Sequence, residues 1–328
     1  MDLLDLKDRK ILHQLDLDAR QSDSEIAKKV GLSRDAVRYR INKMVEQGYI
    51  HYFMTLLNSL KLGYMWMRTF FKFNNLNLEK EKEIIDYLKQ RSSWITRVEG
   101  PWDLNTGIFV KSIYEYRDII NEFLLLYGSF IERYDVATVT RMWIYHKDYL
   151  IGKKQKITKQ ILIGYNPEEP YIIEGIDEMD YKILQTIIKN ANMKTVNIAS
   201  AIGATEMVVR YRMKRMWEKG VIIGYVPFIN VHKLGFMYFK LHLKLKDLTT
   251  QKHKKLVYYV HQHPNTVYTT ELVGGADLET EFQVRSNEEF YEHIKDLRLK
   301  FSDIIRDYEF MQYTKEYKFT YLPEMSNF

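Results

Sequence analysis

Apolar residues near the start of the chain recur at helical spacing, first as Ile11, Leu12 and Leu15 and later as Val37, Ile41, Met44 and Val45. The later set falls at i, i+4, i+7 and i+8, which places it along one side of a helix and predicts a buried stripe. Ser22 followed by Glu25 predicts the capped start of a second helix running through Val30, and Ser33 predicts the cap of the third. Gly31 separates these two helices, and Gly48 is placed to end the third in a left-handed conformation. Residues 49–57 then become aromatic and aliphatic, as the paired strands of a wing would be. The predicted order is helix, helix, tight turn, helix, wing.

Beyond the wing, residues 64–73 are aromatic and partly alternating, 78–91 charged with helical apolar spacing, and 94–98 short and β-prone. Residues 104–110, 114–127 and 134–145 continue as strand, helix and strand. The same order runs through 236–246, 251–263, 267–273, 278–284, 288–301 and 304–319. An antiparallel sheet with helices on one face is the natural packing. Its other face needs a cover, and the chain's 25 Tyr and 16 Phe predict pairing of that face with a second sheet.

The chain repeats. A shift of 172 positions aligns residues 5–63 with 177–235 without a gap, and 21 of the 59 pairs are identical, Val37-Arg38-Tyr39-Arg40 and Val209-Arg210-Tyr211-Arg212 among them. Later residues match more loosely, with Gly100 to Leu104 aligning to Gly275 to Leu278 after a two-residue insertion. Between the copies, residues 151–175 carry Lys153, Lys154, Lys156, Pro167 and Pro170 without helical period and read as a linker. The expected organisation is α+β in two tandem units. A winged helix-turn-helix occupies 1–60 and a βαββαβ domain 61–150; after a linker at 151–174, a second winged helix-turn-helix occupies 175–232 and a second βαββαβ domain 233–328.

Composition narrows the chemistry. Hydrophobic residues make up 46% and charged residues 28%, a globular balance, and the absence of Cys excludes disulfides, thiolate metal sites and cysteine nucleophiles. No apolar run is long enough to cross a bilayer and the start lacks a signal core, so a cytoplasmic protein is expected. The net charge is only +6, but residues 28–43 hold six bases against the single acid Asp35. Arg34, Arg38 and Asn42, spaced by four, share the side of the third helix away from the apolar stripe, with Tyr39, Arg40 and Lys43 beside them. Arg and Asn can make paired hydrogen bonds to base edges, and Arg40 and Lys43 suit phosphates. Double-stranded DNA is therefore the expected partner, with Ser33, Arg34, Arg38, Tyr39, Arg40, Asn42 and Lys43 facing it in the first unit. Thr205, Arg210, Tyr211, Arg212, Lys214 and Arg215 do so in the second, where Glu206 replaces Arg34.

The openings LDxxDxKIL at residues 4–12 and IAxxVGLSxxxVxxRIxxMxxxGxI at 26–50 resemble the Lrp/AsnC family of prokaryotic regulators, in the tandem form found chiefly in archaea. The resemblance implies a ferredoxin-like βαββαβ sensing domain, known as the RAM domain, after each winged unit. It also implies a GxxD turn, matched here by Gly100 and Asp103 and by Gly274 and Asp277, near which relatives bind amino-acid effectors. On turn chemistry alone the same Gly and Asp residues simply shape a tight turn. Asn105, Glu279 and Glu281 put unlike polar groups on neighbouring strands and suggest no common pocket. Pairing of the two sensing domains within one chain, as a pseudo-dimer, is expected, with association of whole chains into a homo-oligomer left open.

Two other functions compete. A nonspecific architectural protein would coat DNA through phosphate contacts. An enzyme resembling the sirohaem decarboxylases, built on a related fold, would need histidines after the second strand of the sensing domain, and residues 94–103 contain none. His261 and His263 are two apart, unlike helical metal ligands, and are expected to be surface histidines. No cofactor, metal site or catalytic motif is expected.

Overall fold

The computed structural model describes residues 4–152, 161–165 and 170–324. Helices α1 (Leu6–Leu17), α2 (Asp23–Val30) and α3 (Arg34–Glu46) are followed by one strand, β1 (Ile50–Leu57). The anticipated capping box forms, with Ser22 and Glu25 each bonded to the other's amide. Gly31 closes α2 at φ +67°, where a side chain would be strained. Of the apolar stripe on α3, Val37 and Met44 are buried and Ile41 is half-buried, but Val45 is 39% exposed. At about 100° per residue Val45 lies about 80° round from Val37, at the edge of the stripe rather than in it.

The first βαββαβ unit comprises β2 (Met65–Phe73), α4 (Leu78–Lys89), β3 (Trp94–Glu99), β4 (Leu104–Val110), α5 (Ile113–Tyr127) and β5 (Ile131–Ile144), and is followed by β6 (Ile161–Gly164). The second copy follows as α6 (Glu178–Ile187), α7 (Thr195–Ile202), α8 (Glu206–Glu218) and β7 (Ile222–Ile229). Its βαββαβ unit is β8 (Met237–Leu245), α9 (Thr250–His261), β9 (Thr266–Val273), β10 (Leu278–Val284), α10 (Asn287–Lys300) and β11 (Ile305–Phe319). The expected linker is not wholly irregular, because β6 pairs antiparallel with Arg141 to Ile144 of β5. Lys153, Lys154, Lys156 and Pro167 lie outside the described residues.

No hairpin wing forms within either unit. β1 instead pairs antiparallel with β7, so the two helix-turn-helix units share one two-stranded ribbon. Symmetry-related bonds lock it: Ala19 N–H donates to Tyr225 O at 2.8 Å and Ala191 N–H to Phe53 O at 2.9 Å. Asn58 N–H donates to Val221 O and Asn230 N–H to Tyr49 O, both at 2.9 Å. Each of these residues is 172 positions from its counterpart.

The two βαββαβ units have sheet orders β5-β2-β4-β3 and β11-β8-β10-β9, the ferredoxin-like arrangement. Both last strands are long because each serves two sheets. β5 pairs first with β2 and then with β9, while β11 pairs first with β8 and then with β3. The seams share a register, Thr138 opposite Val273 and Gln312 opposite Glu99. Sheet-to-sheet pairing was expected, but these edge bonds go further and close an eight-stranded antiparallel barrel within one chain. Closure leaves no open edge around the ring.

Strand alternation sorts the side chains. Met67 and Phe71 of β2 pack under α4 and α5, and Phe239, Leu241 and Leu243 of β8 pack under α9 and α10. The intervening Trp66, Arg68 and Phe70, and Tyr238, Lys240 and His242, point into the barrel. At the junction with the first helical unit, Asp16 of α1 is 1% exposed and holds Lys147 Nζ and the Lys147 amide, each at 2.7 Å. Burial alone would raise this carboxyl, but Lys147 and His146 outweigh it and hold it far below the usual range. Asp16→Asn is expected to lower stability by about 3 kcal/mol, the scale for unpairing one side of a buried pair. In urea titrations across pH, the wild-type advantage should be full above the ordinary carboxyl pKa of 3.8 and shrink as pH falls below it.

Candidate nucleic-acid interface

Each third helix begins at a hydroxyl cap. Ser33 Oγ accepts the Ala36 amide at 3.2 Å, and Thr205 Oγ1 accepts the Val208 amide at 3.3 Å. Val37 and Met44 on α3, and Val209, Met213 and Met216 on α8, turn into the core and leave the opposite sides to solvent. Arg34, Arg38, Tyr39, Asn42 and Lys43 are all exposed on α3, as are Arg210, Tyr211 and Lys214 on α8. Tyr39 is 68% and Tyr211 65% exposed, so both copies keep an aromatic ring in water beside their arginines.

The two helices differ in how their arginines are held. Arg38 Nε donates to Asp23 Oδ2 at 2.9 Å, and among the described residues Arg34 pairs only with its neighbour Asp35, at 3.2 Å. On α8, Glu206 accepts from Arg210 at 2.6 Å and from Thr195 Oγ1 at 2.7 Å; these two bonds lower its pKa and fold Arg210 back along its own helix. Lys214 lies 3.6 Å from Glu218.

Three expected DNA-facing residues have other work. Arg40 NH1 donates to Asp5 at 2.8 Å and Asp8 at 2.7 Å, and Arg212 NH1 to Asp177 at 2.7 Å and Asp180 at 3.0 Å. Arg215 also pairs with Asp180, whose side chain is fully buried. These arginines lie at the flank of the helix, within reach of the acidic capping boxes that begin α1 and α6, and brace the helices against them. Arg212→Ala is expected to lower the melting temperature, at a cost of about 1–2 kcal/mol, while leaving the DNA affinity of the folded fraction almost unchanged.

The GxxD turns sit on the seams. A Cβ on Gly100 (φ +138°) would lie 2.9 Å from Phe310 O, and one on Gly274 (φ +88°) 2.5 Å from Val136 O. Each glycine thus lets its turn press against the other unit's last strand. Asp103 accepts the Phe73 amide at 2.8 Å and Lys72 Nζ at 2.7 Å, and Asp277 accepts the Leu245 amide at 2.7 Å. Both carboxylates therefore close strand ends.

Inside the barrel lies a charged network that strand alternation had placed on an uncovered face. Glu279, 1% exposed, pairs with Arg68, with Lys240 at 2.9 Å and with His242 at 3.1 Å. Glu281 takes Lys240 at 3.2 Å and the Tyr313 hydroxyl at 3.1 Å, and His242 reaches Glu309 at 3.2 Å. Burial pushes Glu279 up, but Arg68 and Lys240 overcome it and hold the carboxyl well below the usual range. Burial pulls His242 down, and its bonds to Glu279 and Glu309 raise it instead. Asn105, Glu279 and Glu281 thus share one interior. The signal was available as Lys240 and His242 alternating with Leu241 and Leu243, but sequence alone does not say that the polar side faces another sheet.

His261 and His263 are half-buried, not surface residues. His261 packs on Trp143 and Tyr145, with ring centres 5.3 and 4.9 Å away, and burial lowers its pKa to about 4. The His263 ring lies 3.6 Å from that of His293. Among the described residues no three His, Asp or Glu side chains are grouped to hold a metal ion, and no helix is long and apolar enough to cross a membrane.

Comparison with known proteins supports the same two-unit reading. A family described as winged helix-turn-helix DNA-binding matches residues 4–51 and again 176–223. An uncharacterised HTH-type transcriptional regulator of Pyrococcus furiosus is 32% identical over 125 residues, 38% of this chain and 80% of that protein. The HTH-type transcriptional regulator LrpA of Pyrococcus horikoshii is 44% identical over 61 residues, 19% of this chain and 43% of that protein. Among solved structures, the sirohaem decarboxylase NirDL covers 98% of this chain and 94% of its own at a TM-score of 0.63 and 14% identity, a likeness of fold.

Proposed function

The chain belongs to the Lrp/AsnC family of helix-turn-helix transcriptional regulators, and from that premise we propose that it binds double-stranded DNA sequence-specifically as an intramolecular pseudo-dimer. The observation that carries this reading is the pair of solvent-facing helices α3 and α8, fixed to each other by the β1/β7 ribbon. Arg34, Arg38, Tyr39, Asn42 and Lys43 form the principal reading surface, and Arg210, Tyr211 and Lys214 a weaker second one. Two linked helices call for two half-sites about one duplex turn, or a multiple of it, apart.

In vitro selection from a random duplex pool tests this. Enrichment of a bipartite site, with one half more tightly specified, is the expected result. Equal binding of all sequences with steep salt dependence would instead favour the architectural reading, and no binding at low ionic strength would end both. The proposal is of a regulator and not an enzyme, because the decarboxylase likeness extends to the fold alone. It gives Gly100, Asp103, Gly274 and Asp277 no part in binding an amino acid, since their backbones and carboxylates are committed to the turns.

A further inference from the structure

Between the mouth of the barrel and the β1/β7 ribbon lies a cavity of about 520 Å³. That volume is in the range of small-molecule sites. Its walls are largely aromatic, with Trp66 and Trp94 from the barrel and Tyr52 and Phe228 from the ribbon, the last two stacked at 4.8 Å. Set among them are hydrogen-bond donors that lack an acceptor. Arg68 Nε and Trp66 Nε1 are buried and unpartnered among the described residues, although Arg68 NH1 is engaged by Glu279 and NH2 by the Met142 sulfur, and Trp66 Nε1 lies against Gly107. Lys189 Nζ lies 5.2 Å from the centre of the Tyr52 ring, and no described carboxylate pairs with it. Lys189 is exposed, but a buried donor without an acceptor is costly, and Arg68 Nε at the cavity wall marks where an acceptor belongs.

We propose that this cavity binds a small organic anion with a flat apolar body, its carboxylate taken by Lys189 and the free Nε donor of Arg68 and its ring laid among the aromatic walls. The charge balance agrees. Of the five cationic side chains that line the space, Arg68 is held by Glu279, Lys147 by Asp16, and Lys318 lies 3.5 Å from Glu324, which leaves Lys189 and Lys315 against two acids, Glu281 and Glu316. Glu281 is already engaged by Lys240 and Tyr313. Glu316 makes no hydrogen bond or ion pair among the described residues; partial shielding from solvent and the nearby Glu281 raise its pKa, with Lys189 opposing. Tyr52 on β1 and Tyr268 on β9 also face it electrostatically. The site is independent of the DNA-binding reading and separate from the GxxD turns.

Titration calorimetry of the full chain with 2-naphthoate, the neutral 2-naphthamide and the cationic 2-naphthylmethylammonium tests the proposal. Saturable binding of one naphthoate is expected, at least about tenfold tighter than the amide, with the cation weakest. Glu316→Gln, which removes a negative charge from the cavity wall, should tighten naphthoate relative to the amide. Lys189→Gln, a substitution outside the barrel, should weaken naphthoate about tenfold and leave the amide unchanged. The proposal is overturned if naphthoate does not bind saturably, if the cation binds more tightly than the anion, or if Lys189→Gln leaves the naphthoate-to-naphthamide ratio as it was.

Discussion

Glu279→Ala is expected to destabilise the chain by about 3–5 kcal/mol, the cost of stranding buried charge after one partner of an ion pair is removed. The carboxylate stands among Arg68, Lys240 and His242, and Lys240 is fully buried. Without Glu279, Arg68 has no carboxylate within ion-pair distance among the described residues, and Lys240 retains only Glu281. Glu279→Gln preserves the shape without the charge and should cost nearly as much, which separates an electrostatic loss from a cavity. Urea unfolding followed by tryptophan fluorescence measures both, since Trp66 and Trp94 lie over the Arg68 guanidinium at 4.8 and 5.3 Å. The raised pKa of His242 adds a pH dependence of opposite sense to that of Asp16. Its contribution is full below the ordinary histidine value of 6.5 and is lost as pH rises through the raised one. A stability difference between wild type and Glu279→Ala below about 0.5 kcal/mol would mean that the network carries no net interaction.

Arg38→Ala is expected to weaken binding to the selected duplex by about 1–3 kcal/mol, the scale of a lost paired contact to a base edge, and to relax preference at one position. Arg210→Ala should cost less, because Glu206 already holds that guanidinium at 2.6 Å and must release it to the DNA. Glu206→Ala should accordingly tighten binding, by freeing Arg210 and removing a negative charge from the surface. Fluorescence anisotropy with the selected and a scrambled duplex distinguishes these outcomes. Equal losses for Arg38→Ala on both duplexes would move that residue from base reading to phosphate contact.

Much of this was legible in the chain. Ser22, Glu25 and Ser33 announce helix starts because capping is local chemistry, decided within three or four residues. Within the Val-Arg-Tyr-Arg repeat, the Arg-Tyr pair marks the exposed side of both helices and the valine the buried side, for the same reason. What sequence could not supply was partnership over distance. Residues 49–57 have the composition of a strand, but nothing in them says that the neighbouring strand lies 172 residues away. Arg40 looks like any basic residue on a helix until Asp5 and Asp8 are seen beside it. Lys240 and His242 fall on the polar side of their strand, and only the closed barrel turns that side inward.

The shared ribbon has one more consequence. When two identical subunits meet across a symmetry axis, any change in one recognition helix is imposed on both, and the duplex they prefer has to be the same word in either direction. Here the two helices are encoded separately, and Arg34 opposite Glu206 records that they have already drifted apart. Under the proposed function, the DNA they recognise has a distinguishable left and right, so the bound molecule points one way along the genome and can present different faces to what lies upstream and downstream.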